Sequence, residues 1–100
     1  MARDIYAYRE VAVQSVRDPR TGGLVIRPMP GQAFAPTLKV QCSRRLREDY
    51  PEGTSFLLNA KLTDRLGGPR YLYAHHGDPV VVLSPSEAKR FLAAFRRGRI

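Results

Sequence analysis

The sequence contains no tryptophan, one cysteine and two histidines, and these shortages exclude several kinds of site. Cys42 cannot form an internal disulfide, so no set of disulfide bridges supports the fold. A lone thiol is compatible with a reducing compartment. His75 and His76 are adjacent, and adjacent strand residues point to opposite faces of a sheet, so the pair cannot chelate one metal ion without a bulge. We therefore expect no metal site and no cofactor.

Long apolar runs are also missing. No stretch approaches the roughly 18 apolar residues of a membrane-spanning helix. The first residues lack the apolar segment of a signal peptide. We therefore expect a cytoplasmic protein with no membrane partner. A length of 100 residues is typical of one domain, which we place at residues 1–100.

Acidic residues are few, because 9 Asp and Glu face 17 Lys and Arg, and the formal net charge is +8. Fourteen of the cations are arginines, whose planar guanidinium binds phosphate and carboxylate through paired hydrogen bonds. This bias is compatible with an anionic partner. Codon usage in a GC-rich genome would enrich arginine, alanine, glycine and proline together, and both origins of the bias stay open.

The end of the chain predicts a helix. Ser84 and Glu87 have the spacing of a capping box, in which each side chain accepts a hydrogen bond from the other residue's backbone N–H. Pro85 occupies the first helical position, where its missing N–H costs nothing. Apolar residues then recur at helical spacing and form one face directed at the sheet: Ala88, Phe91, Leu92 and Phe95. We predict a helix at about residues 85–97.

Upstream, apolar residues alternate with polar ones, as in half-buried strands. From residue 55 to 63 the inward set is Phe56, Leu58, Ala60 and Leu62. Further strands are predicted at 5–16 (with a bulge or bend, because Val11, Val13 and Val16 break the alternation), 24–27, 37–43, 70–76 and 80–83. The expected fold is mainly β (α+β by count), a small antiparallel barrel or strongly bent sheet of five to six strands with one C-terminal helix.

Aromatic residues lie among the cations on the predicted returning strand of a hairpin. There, Leu72 and Ala74 suit the core, so Tyr71, Tyr73 and His75 would form an outward row. Tyr6 and Tyr8 form a similar pair beside arginines. Aromatic rows with cations around them are typical of single-stranded nucleic-acid recognition. The predicted nucleic-acid-binding residues are Arg70, Tyr71, Tyr73, His75, Lys89, Arg90, Arg96, Arg97 and Arg99.

Three other interpretations of these residues stay open, and in none of them do the tyrosines bind nucleic acid. Tyrosine is a favourable strand residue, so the row could be purely structural. The chain could also be a protein-interaction or assembly module, or a homo-oligomer, without catalytic function. A small ribonuclease-type hydrolase using arginine with His75 or His76 is a further alternative.

The sequence gives no support for the hydrolase, and we attribute the one likeness to a known hydrolase to chance. Residues 79–85 resemble a strand of barrel-type ribonuclease toxins, but there the strand lies in the first half of the chain, whereas here only a helix follows it. No convergent catalytic set is evident in the sequence. A non-enzymatic protein is therefore favoured, and the catalytic residues are unknown.

Overall fold

The computed structural model describes residues 7–75 and 77–96, which form a β-sheet and a C-terminal helix. Its elements in chain order are β1 (Arg9–Arg17), β2 (Leu24–Pro28), β3 (Val40–Gln41), α1 (Arg45–Glu48), β4 (Ser55–Thr63), β5 (Tyr71–Tyr73), β6 (Val81–Leu83) and α2 (Pro85–Arg96). The mainly β architecture with a terminal helix is confirmed. No helix within the described residues has the length and apolarity that crossing a membrane requires.

The six strands form one sheet in the order β2-β1-β4-β5-β3, with β6 paired to β4. The two end strands, β2 and β3, do not pair with each other, so the sheet is open and the expectation of a barrel is not confirmed. The two ends nevertheless approach each other, since Arg27 of β2 donates a hydrogen bond to the Thr37 carbonyl just before β3 at 3.0 Å. A flat sheet would hold β2 and β3 about 19 Å apart, at roughly 4.8 Å per strand. The sheet is therefore strongly curled.

Strands β1 and β4 form the centre of the sheet. Their antiparallel register runs without interruption from Arg9 opposite Ala60 to Gln14 opposite Ser55. The pairing of β1 with β2 is equally regular, so the predicted bulge in β1 is wrong. The alternation breaks because both faces of β1 are covered, which allows Val11, Ala12 and Val13 to be buried consecutively.

The edge of the sheet corrects a second expectation. Although most strand pairs are antiparallel, β3 runs parallel to β5, with Val40 opposite Leu72 and Gln41 opposite Tyr73. The predicted strand at 37–43 is shortened to two residues, but its inward side is as expected, since Leu38, Val40 and Cys42 pack against the core. The parallel arrangement needs the long connection through α1 and β4, which sequence alternation does not reveal.

Two apolar clusters lie on opposite faces of the sheet. The inner one fills the concave side and contains Val11, Val13, Ile26, Leu46, Phe56, Leu58, Ala60, Leu72 and Ala74. The outer one joins the sheet to α2 and contains Ala12, Leu83 and Ala88, with Met29, Leu57, Phe91 and Leu92 packed against it. Leu62, expected in the core, is 38% exposed although it lies opposite the buried Leu72, because the pairing of β4 with β1 ends at Ala60 and leaves Leu62 unflanked on that side.

The C-terminal helix begins with the predicted capping box. The Ser84 N–H donates to Glu87 Oε1 at 2.8 Å, and the Glu87 N–H donates to Ser84 Oγ at 3.2 Å. The Ser84 N–H, followed by the Ser84 hydroxyl, lowers the pKa of the Glu87 carboxyl. Phe91 and Phe95 face the sheet side but are only half-buried, because one short helix covers a small area of the sheet.

The β1–β2 ladder ends at a side chain that replaces a backbone partner. Gln32 Oε1 accepts from the buried Ala12 N–H at 2.9 Å, and Gln32 Nε2 donates to the carbonyls of Ala12 and Met29 at 2.8 Å each. The Met29 N–H still donates to the Ala12 carbonyl at 2.9 Å. The amide of Gln32 is thus inserted between two strands at the point where they separate.

Candidate nucleic-acid interface

The side chains of β5 point alternately to the two faces of the sheet. Leu72 and Ala74 are buried in the inner cluster, while Tyr71 and Tyr73 are half-buried on the opposite, outer face. This is the alternation predicted from the sequence. The two rings lie on the same face of one strand and are therefore about 7 Å apart, at roughly 3.3 Å per residue.

Strand register brings a lysine beside these rings. Lys61 of β4 lies directly opposite Tyr73 of β5, and Tyr73 is also paired with Gln41 of β3. Side chains that lie opposite each other in paired strands project from the same face. Lys61, Tyr73 and Gln41 therefore form a row across three strands.

A third tyrosine extends this row on the far side of Lys61. Tyr8 immediately precedes β1, and Lys61 Nζ lies 5.6 Å from the centroid of its ring. An ammonium group at this distance interacts favourably with the π-system of the ring. We call the surface formed by Tyr8, Lys61, Tyr71 and Tyr73 the tyrosine face. Tyr6, paired with Tyr8 in the sequence prediction, lies outside the described residues.

Among the described residues, α2 covers the adjoining part of this face, and its last turn reaches one end of the tyrosine face, where Phe95 and Tyr8 line the same cavity. Ala12 and Leu57, which lie opposite each other in β1 and β4, belong to the outer cluster under α2. Lys61 lies further along β4 on the same side as Leu57, because the two positions have the same strand parity. The outer face is therefore divided into an apolar half under α2 and a polar, aromatic half beyond it.

An arginine that no sequence pattern indicated borders the tyrosine face. Arg65 follows β4, and its Cζ lies 5.7 Å from the centroid of the Tyr71 ring. Arg65 Nη2 also donates to Gln41 Oε1 at 2.9 Å. Only the parallel pairing of β3 with β5 brings Gln41 beside the hairpin loop, so local spacing gives no signal for this contact. Lys61, in contrast, was detectable from its alternation with the apolar residues of β4.

The predicted binding residues divide into separate groups. Arg70 lies beside Tyr71 in a cleft at the edge of the sheet. His75 accepts a hydrogen bond from the Gly77 N–H at its Nδ1, at 3.2 Å, within a turn. Lys89 and Arg90 are exposed on α2, outside the stripe that packs on the sheet. Arg96 ends the described helix, and Arg97 and Arg99 lie outside the described residues.

One acidic residue shares the outer face. Glu10 lies opposite Asn59 in the β1–β4 register, one alternation from Tyr8, and is exposed. Its carboxylate would repel a phosphate near the tyrosine face. The cations Lys61 and Arg65 outnumber it there, so this surface retains a positive balance.

The thiol is unsuited to nucleophilic catalysis. Cys42 packs against the inner cluster, and burial raises its pKa to about 11, an effect that the nearby Arg47 only partly opposes. The group is therefore protonated at neutral pH, whereas the thiolate is the reactive form. His75 has the strand parity of Tyr71 and Tyr73, on the face away from Cys42. His76 lies outside the described residues.

Metal ligation has no geometric support in residues 7–75 and 77–96, where no three histidine, cysteine or acidic side chains are grouped.

Comparison of the chain with protein-family models, curated protein sequences and solved structures gives no significant match. The function of the chain is therefore inferred from its own geometry and charge.

Proposed function

We propose that the chain binds single-stranded RNA or DNA on the tyrosine face, without sequence specificity. The observation that carries the proposal is the row in which Lys61 lies between Tyr8 and Tyr73, with Tyr71 next along β5. Bases stack on such rings while neighbouring cations contact the phosphates. The polar, aromatic half of the outer face supplies both kinds of group.

The relative strength of two interactions supports base stacking here. Cation–π contacts contribute about 0.5–1 kcal/mol at exposed sites and about 2 kcal/mol when desolvated, and the contact of Lys61 with Tyr8 joins two half-buried residues. Stacking of a base on an aromatic ring contributes about 1–3 kcal/mol. An incoming base can therefore displace the cation from the ring, and the cation then becomes available to a phosphate. The present contacts hold the cations close to where phosphates would lie.

The same geometry favours single strands over duplexes. Rings that project from a sheet cannot stack on bases that are already paired and stacked within a double helix. No described side-chain pattern on this face suits the major groove, which admits a helix or a two-stranded ribbon. We therefore expect tight binding to require unpaired bases, and duplexes to bind only through net charge.

Titration of labelled oligonucleotides tests the proposal. Ten-nucleotide single strands of RNA and DNA, and a duplex of the same length, are titrated with the protein at low and moderate salt. We expect single strands to bind below about 100 μM, within the range of non-specific binding, and to weaken as salt rises because neutralised phosphates release counterions. Failure of every oligonucleotide to bind at low salt would contradict the proposal, as would a preference for the duplex.

A second candidate function, homo-oligomer assembly, is favoured by β6. Val81 and Val82 are 53% and 45% exposed, and among the described strands β6 pairs with β4 alone. Residues 79–86 carry no charge, so this edge of two copies can approach despite the net charge of each chain. An unprotected apolar edge is the usual template for strand addition.

Sedimentation of the chain and of Val81→Lys tests this alternative. Dimers that form as concentration rises, and that Val81→Lys abolishes, would support assembly through β6, because a charge at an exposed edge opposes strand addition. A monomer at all concentrations would contradict it.

A further inference from the structure

A cleft of about 570 Å³ lies at the edge of the sheet, between β3 and the loop that joins β4 to β5. Its polar lining consists of Thr37, Lys39 and Gln41 from the β3 segment, Arg65 and Arg70 from the loop, and the hydroxyl-bearing ring of Tyr71. Tyr71 also belongs to the tyrosine face, so the cleft and that face share a boundary. We call it the β3 cleft.

The β3 cleft has an unbalanced positive charge. Three of its described lining residues are cations, and no described lining residue is acidic. The salt bridge between Arg17 and Glu52, at 3.1 Å, involves no residue of this lining. Uncompensated cations around one cavity favour an anionic ligand of matching charge.

Arg65 is held in place by neutral partners. Its guanidinium donates to the amide oxygen of Gln41 at 2.9 Å and lies against the ring of Tyr71. One of the five guanidinium N–H donors is therefore engaged with Gln41, and the remaining donors can form paired bonds to an oxyanion. Neither partner is a carboxylate, and no acidic side chain in the described part of the chain forms a salt bridge with Arg65.

The loop that carries Arg65 is tightly turned. The Gly68 N–H donates to the Arg65 carbonyl at 2.8 Å. Leu66 and Gly67 both have left-handed backbone angles, with φ of 51° and 77°. A left-handed leucine is unfavourable, and such conformations persist where the surroundings determine the backbone. A Cβ at Gly68 would lie 3.0 Å from the Arg65 carbonyl oxygen, so the turn favours glycine there. The turn thus orients Arg65 toward the cleft before any ligand binds.

We propose that the β3 cleft binds a phosphomonoester, the terminal phosphate of a strand whose bases stack on the tyrosine face. The inference rests on the proposed function, because the strand lies on the tyrosine face. A monoester carries about −1.5 to −2 charges at pH 7, and an internal phosphodiester carries about −1. Three uncompensated cations match the monoester better. The β3 cleft therefore recognises the end of a strand.

Oligonucleotides that differ only at their ends test this proposal. A five-nucleotide single strand is titrated with a free, a 5′-phosphorylated or a 3′-phosphorylated end, and inorganic pyrophosphate is the probe without a strand. We expect one phosphorylated end to bind about tenfold or more tightly than the free end, which corresponds to one charge-assisted hydrogen bond. The gain shrinks below about pH 6, where the monoester takes up its second proton.

Variants locate the effect. The gain is the ratio of the affinities for the phosphorylated and the free end, and Arg65→Gln brings this ratio close to one, although it also weakens binding of the unphosphorylated strand by removing a cation beside the tyrosine face. Arg65→Lys keeps the charge but loses the paired donors, and recovers only part of the gain. Arg45→Gln, at an exposed position on α1 away from the cleft lining, is the matched control for loss of one charge and leaves the gain intact.

The outcomes separate the two proposals. If unphosphorylated strands bind and neither phosphorylated end adds affinity, the β3 cleft proposal is overturned while the tyrosine face stands. If no strand binds but pyrophosphate shifts the NMR signals of Lys39, Arg65 and Arg70, the phosphate site stands and the single-strand function fails. If neither strand nor pyrophosphate perturbs these residues, both proposals are wrong.

Discussion

Replacement of Gln32 by leucine should destabilise the fold although Gln32 is only half-buried. The substitution keeps a side chain of similar size but removes all three hydrogen bonds of the amide. The Ala12 N–H then has no acceptor, and Ala12 is completely buried. An unsatisfied buried donor costs about 1–3 kcal/mol.

The remaining two lost bonds add less to this cost. The Ala12 carbonyl still accepts from the Met29 N–H at 2.9 Å, so it remains paired. Met29 is only half-buried, which allows water to reach its carbonyl. We therefore expect Gln32→Leu to lower the free energy of unfolding by about 2–3 kcal/mol, a large part of the 5–15 kcal/mol typical of a domain.

Urea unfolding followed by circular dichroism measures this loss, since the chain has no tryptophan for fluorescence. With a slope of about 1–3 kcal/mol per molar urea, the midpoint should fall by about 1 M or more. Gln14→Leu is the matched control, because Gln14 is half-buried on β1 and its side-chain amide makes no hydrogen bond among the described residues. Equal midpoints for the two variants would refute this role of Gln32, as would an unaltered hydrogen-exchange rate at the Ala12 amide.

The capping box, the thiol and the acidic residue on the outer face lead to three more predictions. Ser84→Ala should lower the free energy of unfolding by about 1 kcal/mol in the same urea assay. Because the pKa of Glu87 is lower in the folded chain, its stabilising effect should be present at neutral pH and disappear as pH falls below the ordinary carboxyl range. Glu87→Gln should therefore match the stability of the unsubstituted chain only in acid. Cys42, with its pKa raised to about 11, should react slowly with iodoacetamide at pH 8 in the folded chain and rapidly in urea, and equal rates would show that the thiol is accessible. Glu10→Gln should strengthen single-strand binding about twofold at low salt, because the carboxylate repels a phosphate about 8 Å away by roughly 0.5 kcal/mol in water. Weaker binding of the variant would show that the strand lies elsewhere.

Local signals in the sequence predicted the elements whose stability is local. The capping box at Ser84 and Glu87 and the alternation in β4 each depend on neighbours within a few residues. The capping box is confirmed, and the alternation is confirmed except at Leu62. The same alternation predicted that Leu72 and Ala74 face the core and that the tyrosines of β5 face outward.

Features that depend on distant residues were not predictable in this way. The β3–β5 pairing is parallel and joins segments separated by α1 and β4, so no turn signal marks it. Gln32 replaces a backbone partner of Ala12, which lies 20 positions earlier in the chain. The uninterrupted β1 looked irregular because the sequence does not show that α2 covers its second face. The contacts of Arg65 with Gln41 and Tyr71 have the same long-range origin.

The most direct test of the tyrosine face compares Tyr73→Ala with Tyr73→Phe in binding a ten-nucleotide single strand at low salt. Phenylalanine keeps the stacking surface and alanine removes it, while neither changes the charge. We expect Tyr73→Phe to bind like the unsubstituted chain and Tyr73→Ala to lose about 1–3 kcal/mol of affinity, with duplex binding equal for both. Equal single-strand affinities for the two variants, with both folded by circular dichroism, would contradict base stacking on this face.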